Sequence, residues 1–242
     1  MSNAMDKAIG NARFGVIALS LTAALLVGAG CSSGKKDENA PTAANPEAAK
    51  SRAQTSFESG EDPPITADTH FAAGQLAESQ KVMDRALQQY KLALKRNPKH
   101  TGALFRLGAL QTELKQFPDA VANWKRYIKV TNAAEGYSNL GYCYELWGKR
   151  ADAENAYMRG IERDPHNQPC RVNYGLMLAR QGRTKEAMAQ LESVLSPAEV
   201  YYNLGSAHEQ MGRRDDARAA YEKAIQIDPS MQEARERLTA LK

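Results

Sequence analysis

The sequence predicts an all-α fold: an α-solenoid of about five stacked helical units plus a C-terminal cap helix. Three observations predict it. Glycines recur at 74, 108, 141, 175 and 205, spaced 34, 33, 34 and 30 residues apart. Twelve residues after each stands an alanine (Ala86, Ala120, Ala153, Ala187, Ala217). Four residues further stands a large apolar residue (Tyr90, Trp124, Tyr157, Leu191, Tyr221). A period of this length marks stacked supersecondary units, none of which can bury its apolar face alone. Composition is the third observation: 39 of 242 residues are alanine against 17 aromatics. That balance favours helices packed through small side chains over a β-sandwich or barrel. A net charge of +4 is too small for a dedicated nucleic-acid binder, and three cysteines are too few for a disulfide scaffold.

The elements follow in chain order. Lys7 and Arg13 precede an apolar stretch from Val16 to Gly30, which is short for a membrane-spanning helix of about 20 residues and suits the core of a signal peptide. The stretch ends Gly28-Ala29-Gly30-Cys31. Small residues before a cysteine here resemble the bacterial lipoprotein signal. That resemblance implies cleavage after residue 30 and lipidation of Cys31. Ser32, where inner-membrane lipoproteins often carry Asp, implies an outer-membrane location facing the periplasm. Gly28 stands where such signals usually have Leu. Residues 31–66 read as the lipidated cysteine and a disordered linker, with Pro41, Pro46, Pro63 and Pro64 and one aromatic, Phe57.

Residues 67–242 hold the array, with units at about 67–100, 101–133, 134–167, 168–197 and 198–231 and the cap helix at about 230–242. Gly148, Gly182 and Gly212 suit the left-handed position that ends a first helix. Asn97-Pro98, Asp164-Pro165 and Asp228-Pro229 stop second helices. Unit 2 ends Val130-Thr131-Asn132 without a proline. Unit 4 is four residues short, and Ser196-Pro197 reads as an N-cap and first helical residue after a tighter turn.

These residues resemble the tetratricopeptide repeat (TPR), and the resemblance covers some 170 residues. It implies helix–turn–helix units wound into a right-handed superhelix, with a concave groove lined by the first helices and unit positions 2, 5, 9 and 12 facing it. Position 5 reads Phe71, Phe105, Ser138, Val172 and Tyr202, and position 9 reads Gln75, Ala109, Tyr142, Leu176 and Ser206. The Lys, Arg and Asn with which the best-known TPR domains clamp a C-terminal carboxylate are missing there. The expected groove is apolar and aromatic, suited to an amphipathic helix or an extended apolar peptide. Position 6 holds Asn139, Asn173 and Asn203, a ladder similar to one that binds ligand backbone in TPR glycosyltransferases. It also suits bracing of the array's own structure.

Charge is uneven: residues 81–129 carry eleven Lys/Arg and three acids, whereas 130–242 carry fifteen and sixteen. Cys143 and Cys170 fall at positions 10 and 3 of successive parallel helices. That offset is about 10 Å along the axis, too far for a disulfide. His70, His100, His166 and His208 occupy unrelated unit positions, and His208 reads as a packing residue. No catalytic constellation, metal-ligand spacing, phosphate loop or cofactor motif appears. The reading is a non-enzymatic scaffold, lipid-anchored, that holds a protein or peptide partner in its groove and binds neither nucleic acid nor metal. Its order of lipidated cysteine, linker and repeat array resembles the TPR lipoproteins of tight-adherence (Flp) pilus assembly. Alternatives are an adaptor that docks a periplasmic protease or peptidoglycan enzyme, and an enzyme subunit with cryptic chemistry.

Overall fold

The structure, a computed structural model, describes residues 65–241. The expected signal segment, Cys31 and all but the end of the linker lie outside the described residues. Among the described residues there are eleven helices and no strand. They are α1 Ala67–Ser79, α2 Met83–Arg96, α3 Thr101–Glu113, α4 Phe117–Thr131, α5 Ala134–Leu146, α6 Arg150–Arg163, α7 Gln168–Arg180, α8 Thr184–Glu192, α9 Pro197–Gln210, α10 Arg214–Ile227 and α11 Gln232–Ala240. Consecutive helices pack as hairpins, α1 on α2 through α9 on α10, and α11 covers α10. None of them is long and apolar enough to cross a membrane.

Each hairpin closes on one contact. A Cβ placed on Gly74 would lie 2.5 Å from the Tyr90 ring, on Gly108 2.9 Å from Trp124, on Gly141 2.6 Å from Tyr157, on Gly175 2.8 Å from Leu191 and on Gly205 2.7 Å from Tyr221. The five alanines at the crossings are fully buried, and the five large residues are no more than 1% exposed. The repeating glycine therefore reflects space: any side chain there would push the second helix away.

Caps set the hairpin lengths. Each first helix ends in a left-handed residue, Gly148, Gly182 and Gly212 in units 3–5 but Lys81 and Lys115 (both φ 59°) in units 1 and 2. The side chains of Asn97, Asp164 and Asp228 accept the backbone N–H two residues on, across the following proline. Unit 2, lacking that proline, stops instead at Asn132, whose backbone is left-handed (φ 51°). Ser196 and Glu199 form a capping box at the start of α9, with Pro197 in the first turn. The turn before it is not the tighter one expected but spans four residues, like those after α2, α6 and α10; the shortening of unit 4 falls in α8, which has 9 residues where the other second helices have 14 or 15.

A polar brace repeats on alternate junctions. Tyr90, Tyr157 and Tyr221 donate their hydroxyls to Glu78 (2.6 Å), Glu145 (3.2 Å) and Glu209 (2.8 Å), twelve residues upstream. Arg106, Arg180 and Arg237 of the following first helix or cap pair with those carboxylates. Burial, with the neighbouring carboxylate, raises the pKa of each of these tyrosines. The equivalents in units 2 and 4 are Trp124 donating to Thr112 (3.1 Å) and Leu191, which has no polar atom. Junctions 1/2, 3/4 and 5/cap are thus tied by charge as well as packing.

Cys143 and Cys170 are both buried free thiols. The Cys170 Sγ donates to the Ala134 carbonyl at 3.3 Å, and burial lifts its pKa to about 12.

Three outcomes test this packing. Gly141→Ala should lose about 1–3 kcal/mol in urea unfolding, because crowding of Tyr157 outweighs the gain in helix propensity of about 1 kcal/mol; a stabilised variant would contradict the contact. Glu145→Ala should cost about 1–3 kcal/mol by the same assay, since it leaves the buried Tyr157 hydroxyl and Arg180 without their acceptor. Cys170 should resist iodoacetamide in the native protein and react on unfolding, followed by mass spectrometry.

Candidate functional site

The inner face begins from the residues of the first helices. Helix α5 carries Tyr142 and Leu146 one turn apart, 37% and 44% exposed, and α1 carries Gln75 and Leu76, the latter 60% exposed. Residues four apart share one side of a helix, so Tyr142 and Leu146 form one apolar patch. Leu76 and Leu146, absent from the expected groove, belong to the exposed surface; for Leu146 the i, i+4 spacing from Tyr142 was the available signal.

Position 9 shows where the face is open. Gln75 and Tyr142 are exposed and Ala109 is half-buried, but Leu176 and Ser206 are only 5% exposed. Helix α7 packs directly on both α5 and α9, and every residue from Tyr174 to Ala179 is buried. At position 9 the face is therefore open along units 1–3 and closed in units 4 and 5. This corrects the expectation for four groove residues: Ser138, Leu176, Asn203 and Ser206 are covered by neighbouring helices and reach no open surface.

The expected aromatic lining is also largely drawn inward. Phe71 is half-buried against Tyr90 and His100, with ring centroids 5.8 and 4.9 Å apart. Phe105 meets Trp124 and Tyr127 edge-on at 5.3 and 5.6 Å, and Tyr202 lies 5.7 Å from Tyr221. Val172 is half-buried against the core of units 3–5. These side chains hold first helices to second helices, and the half-buried Arg–Glu pairs make the inner face more polar than the sequence suggested.

The asparagine row serves the fold. Asn139 and Asn203 donate to the carbonyls of Glu135 (3.0 Å) and Glu199 (2.8 Å) one turn back, and Asn173 donates to Ser138 Oγ (3.2 Å) across the unit junction. One N–H of each amide is thus engaged internally, which fits bracing of the array's own structure; Asn139 and Asn173 are half-buried and Asn203 is buried. The Asn203 Oδ1 and His208 Nδ1 are buried without a hydrogen-bond partner among the described residues. Among those residues no three His, Cys, Asp or Glu side chains gather as a metal site requires.

Known proteins share this repeat geometry. Two curated relatives match over about half of this chain. The human protein O-mannosyl-transferase TMTC1 is 29% identical over 134 residues, covering 54% of this chain and 15% of its own length. The Arabidopsis thaliana Hsp70-Hsp90 organizing protein 2 is 30% identical over 132 residues, covering 51% of this chain and 23% of its own. The matched region thus spans less than a quarter of the length of either. Among solved structures, a thermophilic TPR protein of Thermus thermophilus superposes with a TM-score of 0.55 at 24% identity, covering 73% of this chain and 98% of that one. At that identity the likeness shows a shared fold. Family models described as tetratricopeptide repeat match residues 66–136, 134–167, 168–193 and 198–231. Together they cover more than half of the chain, and it belongs to the tetratricopeptide-repeat proteins.

Proposed function

We propose that this chain is a non-enzymatic scaffold, held at a membrane by a lipid on Cys31, that takes a partner polypeptide on the inner face of units 1–3. The observation that carries the reading is the open row through Gln75 and Tyr142, with Leu146 beside it, on an array whose Phe71, Phe105 and Tyr202 are drawn into packing. An exposed apolar patch on a rigid repeat surface suits an amphipathic helix or an apolar segment. Repeat proteins of this kind typically bind protein or peptide partners, and the name of the Arabidopsis relative describes a protein that organizes two others.

The anchor rests on the sequence Ala29-Gly30-Cys31 after an apolar stretch. A location at the periplasmic face of the outer membrane follows from Ser32, and a part in pilus assembly from the shared order of signal, linker and array. In this reading the array gathers a partner at the membrane surface and performs no chemistry on it.

Two outcomes check the reading. Crosslinking and pull-down from cells should show partners captured by the wild-type chain and lost with Gln75→Ala/Tyr142→Ala/Leu146→Ala; an unchanged partner set would remove the inner face from the account. Cys31→Ser should shift the protein from the membrane fraction to the soluble one and abolish labelling by a palmitate analogue, and continued membrane retention with labelling would sink the anchor.

A further inference from the structure

Outside the inner face, the second helices of units 1 and 2 border a cleft of about 440 Å³. Leu94 and Leu107 contribute apolar wall, Gln111 and Asn123 polar lining, and Lys91, Lys95 and Arg126 positive charge. Gln111 is 1% exposed and Asn123 8%. Asn123 Nδ2 donates to Gln111 Oε1 (2.8 Å), and Asn123 Oδ1 accepts from Arg126 Nη1 (3.2 Å). Arg126 Nη2 donates to the Pro98 carbonyl at 3.2 Å. The lining is thus a fixed hydrogen-bonded chain. Gln111 Nε2 remains a donor with no acceptor among the described residues.

The charge balance around this cleft differs from that over residues 130–242, where fifteen Lys/Arg stand against sixteen acids. Arg106, Arg180, Arg183 and Arg237 each pair with a glutamate. Among the described residues, no carboxylate lies within ion-pair distance of Lys91, Lys95 or Arg126, although Asp119 also lines the cleft. Residues 81–129 carry eleven Lys/Arg against three acids, so the surrounding surface adds to the same field.

We propose that this cleft binds an acidic polypeptide segment, at a site separate from the inner face. Cations without a carboxylate partner supply attraction for the carboxylates of such a segment. Leu94 and Leu107 give the floor of the cleft an apolar area that suits the methylene groups of glutamate. A peptide fits this combination better than a flat anionic membrane, because the lining lies within a cleft between three helices, α2, α3 and α4. The site does not depend on which partner the inner face holds.

The test uses the full chain in a neutral detergent and a fluorescein-labelled octaglutamate peptide, read by fluorescence anisotropy at low salt. Lys91→Glu/Lys95→Glu should weaken binding at least about tenfold, whereas Arg159→Glu/Lys223→Glu, an equal charge change on exposed residues of α6 and α10, should change it less than about twofold. Thermal melting confirms that both variants remain folded. Equal weakening by the two variants would overturn the site, because net charge alone would then explain binding. So would failure of the wild-type chain to bind the peptide. If soluble dihexanoyl phosphatidylglycerol bound with the Lys91/Lys95 dependence and octaglutamate did not, the surface would belong to lipid and the proposal would be wrong.

Discussion

The fold depends on one close approach repeated five times, a glycine of the first helix against the large residue sixteen positions on in the second. Gly74 with Tyr90 and Gly141 with Tyr157 leave no room for a methyl group. The approach lets a short hairpin bury a whole aromatic ring, and burying a large apolar side chain is the main stabilising term for such a unit. Four of the five large residues carry a second duty. Tyr90, Trp124, Tyr157 and Tyr221 hydrogen-bond back to position 12 of the first helix. Where that position is glutamate and the second-helix residue tyrosine, the carboxylate also meets an arginine of the next first helix or cap. Packing within a unit and pairing between units therefore pass through the same residues.

The same constraint decides what the inner face can do. Side chains expected to greet a ligand, such as Phe71, Phe105 and Tyr202, lie against second-helix rings. In units 4 and 5 the shortened α8 and the direct packing of α7 on α5 and α9 accompany loss of the open surface at Leu176 and Ser206. What stays exposed is confined to units 1–3. The basic cleft belongs to the same end of the array, between the second helices of units 1 and 2 and the first helix of unit 2. The array is thus uneven along its length, with both candidate binding surfaces in units 1–3 and a consolidated C-terminal half.

Much of the fold was legible because spacing encodes it. Gly141, Ala153 and Tyr157 sit in register with their counterparts, and that register reports helix crossings directly. Ser196-Pro197 announced the start of α9 through local chemistry alone. Asn132, by contrast, replaces a proline stop with a left-handed backbone, and Lys81 and Lys115 do the work of glycine; residue type signals these only weakly. The candidate site was less legible. Whether Asn203 or Ser206 meets solvent depends on how closely successive first helices pack, a tertiary property with no mark in a single unit. Asn139 and Asn173 look alike in the sequence, yet one bonds within its helix and the other across a junction.

The central claim is that a partner chain lies on the inner face of units 1–3. The most direct measurement places a photo-crosslinking amino acid at residue 75 or 142 of the full chain in cells, with residue 158 of α6, exposed on a second helix, as reference. The account predicts a shared adduct from 75 and 142 after illumination and none of that mass from 158. An adduct from 158 with nothing from 75 or 142 would contradict it.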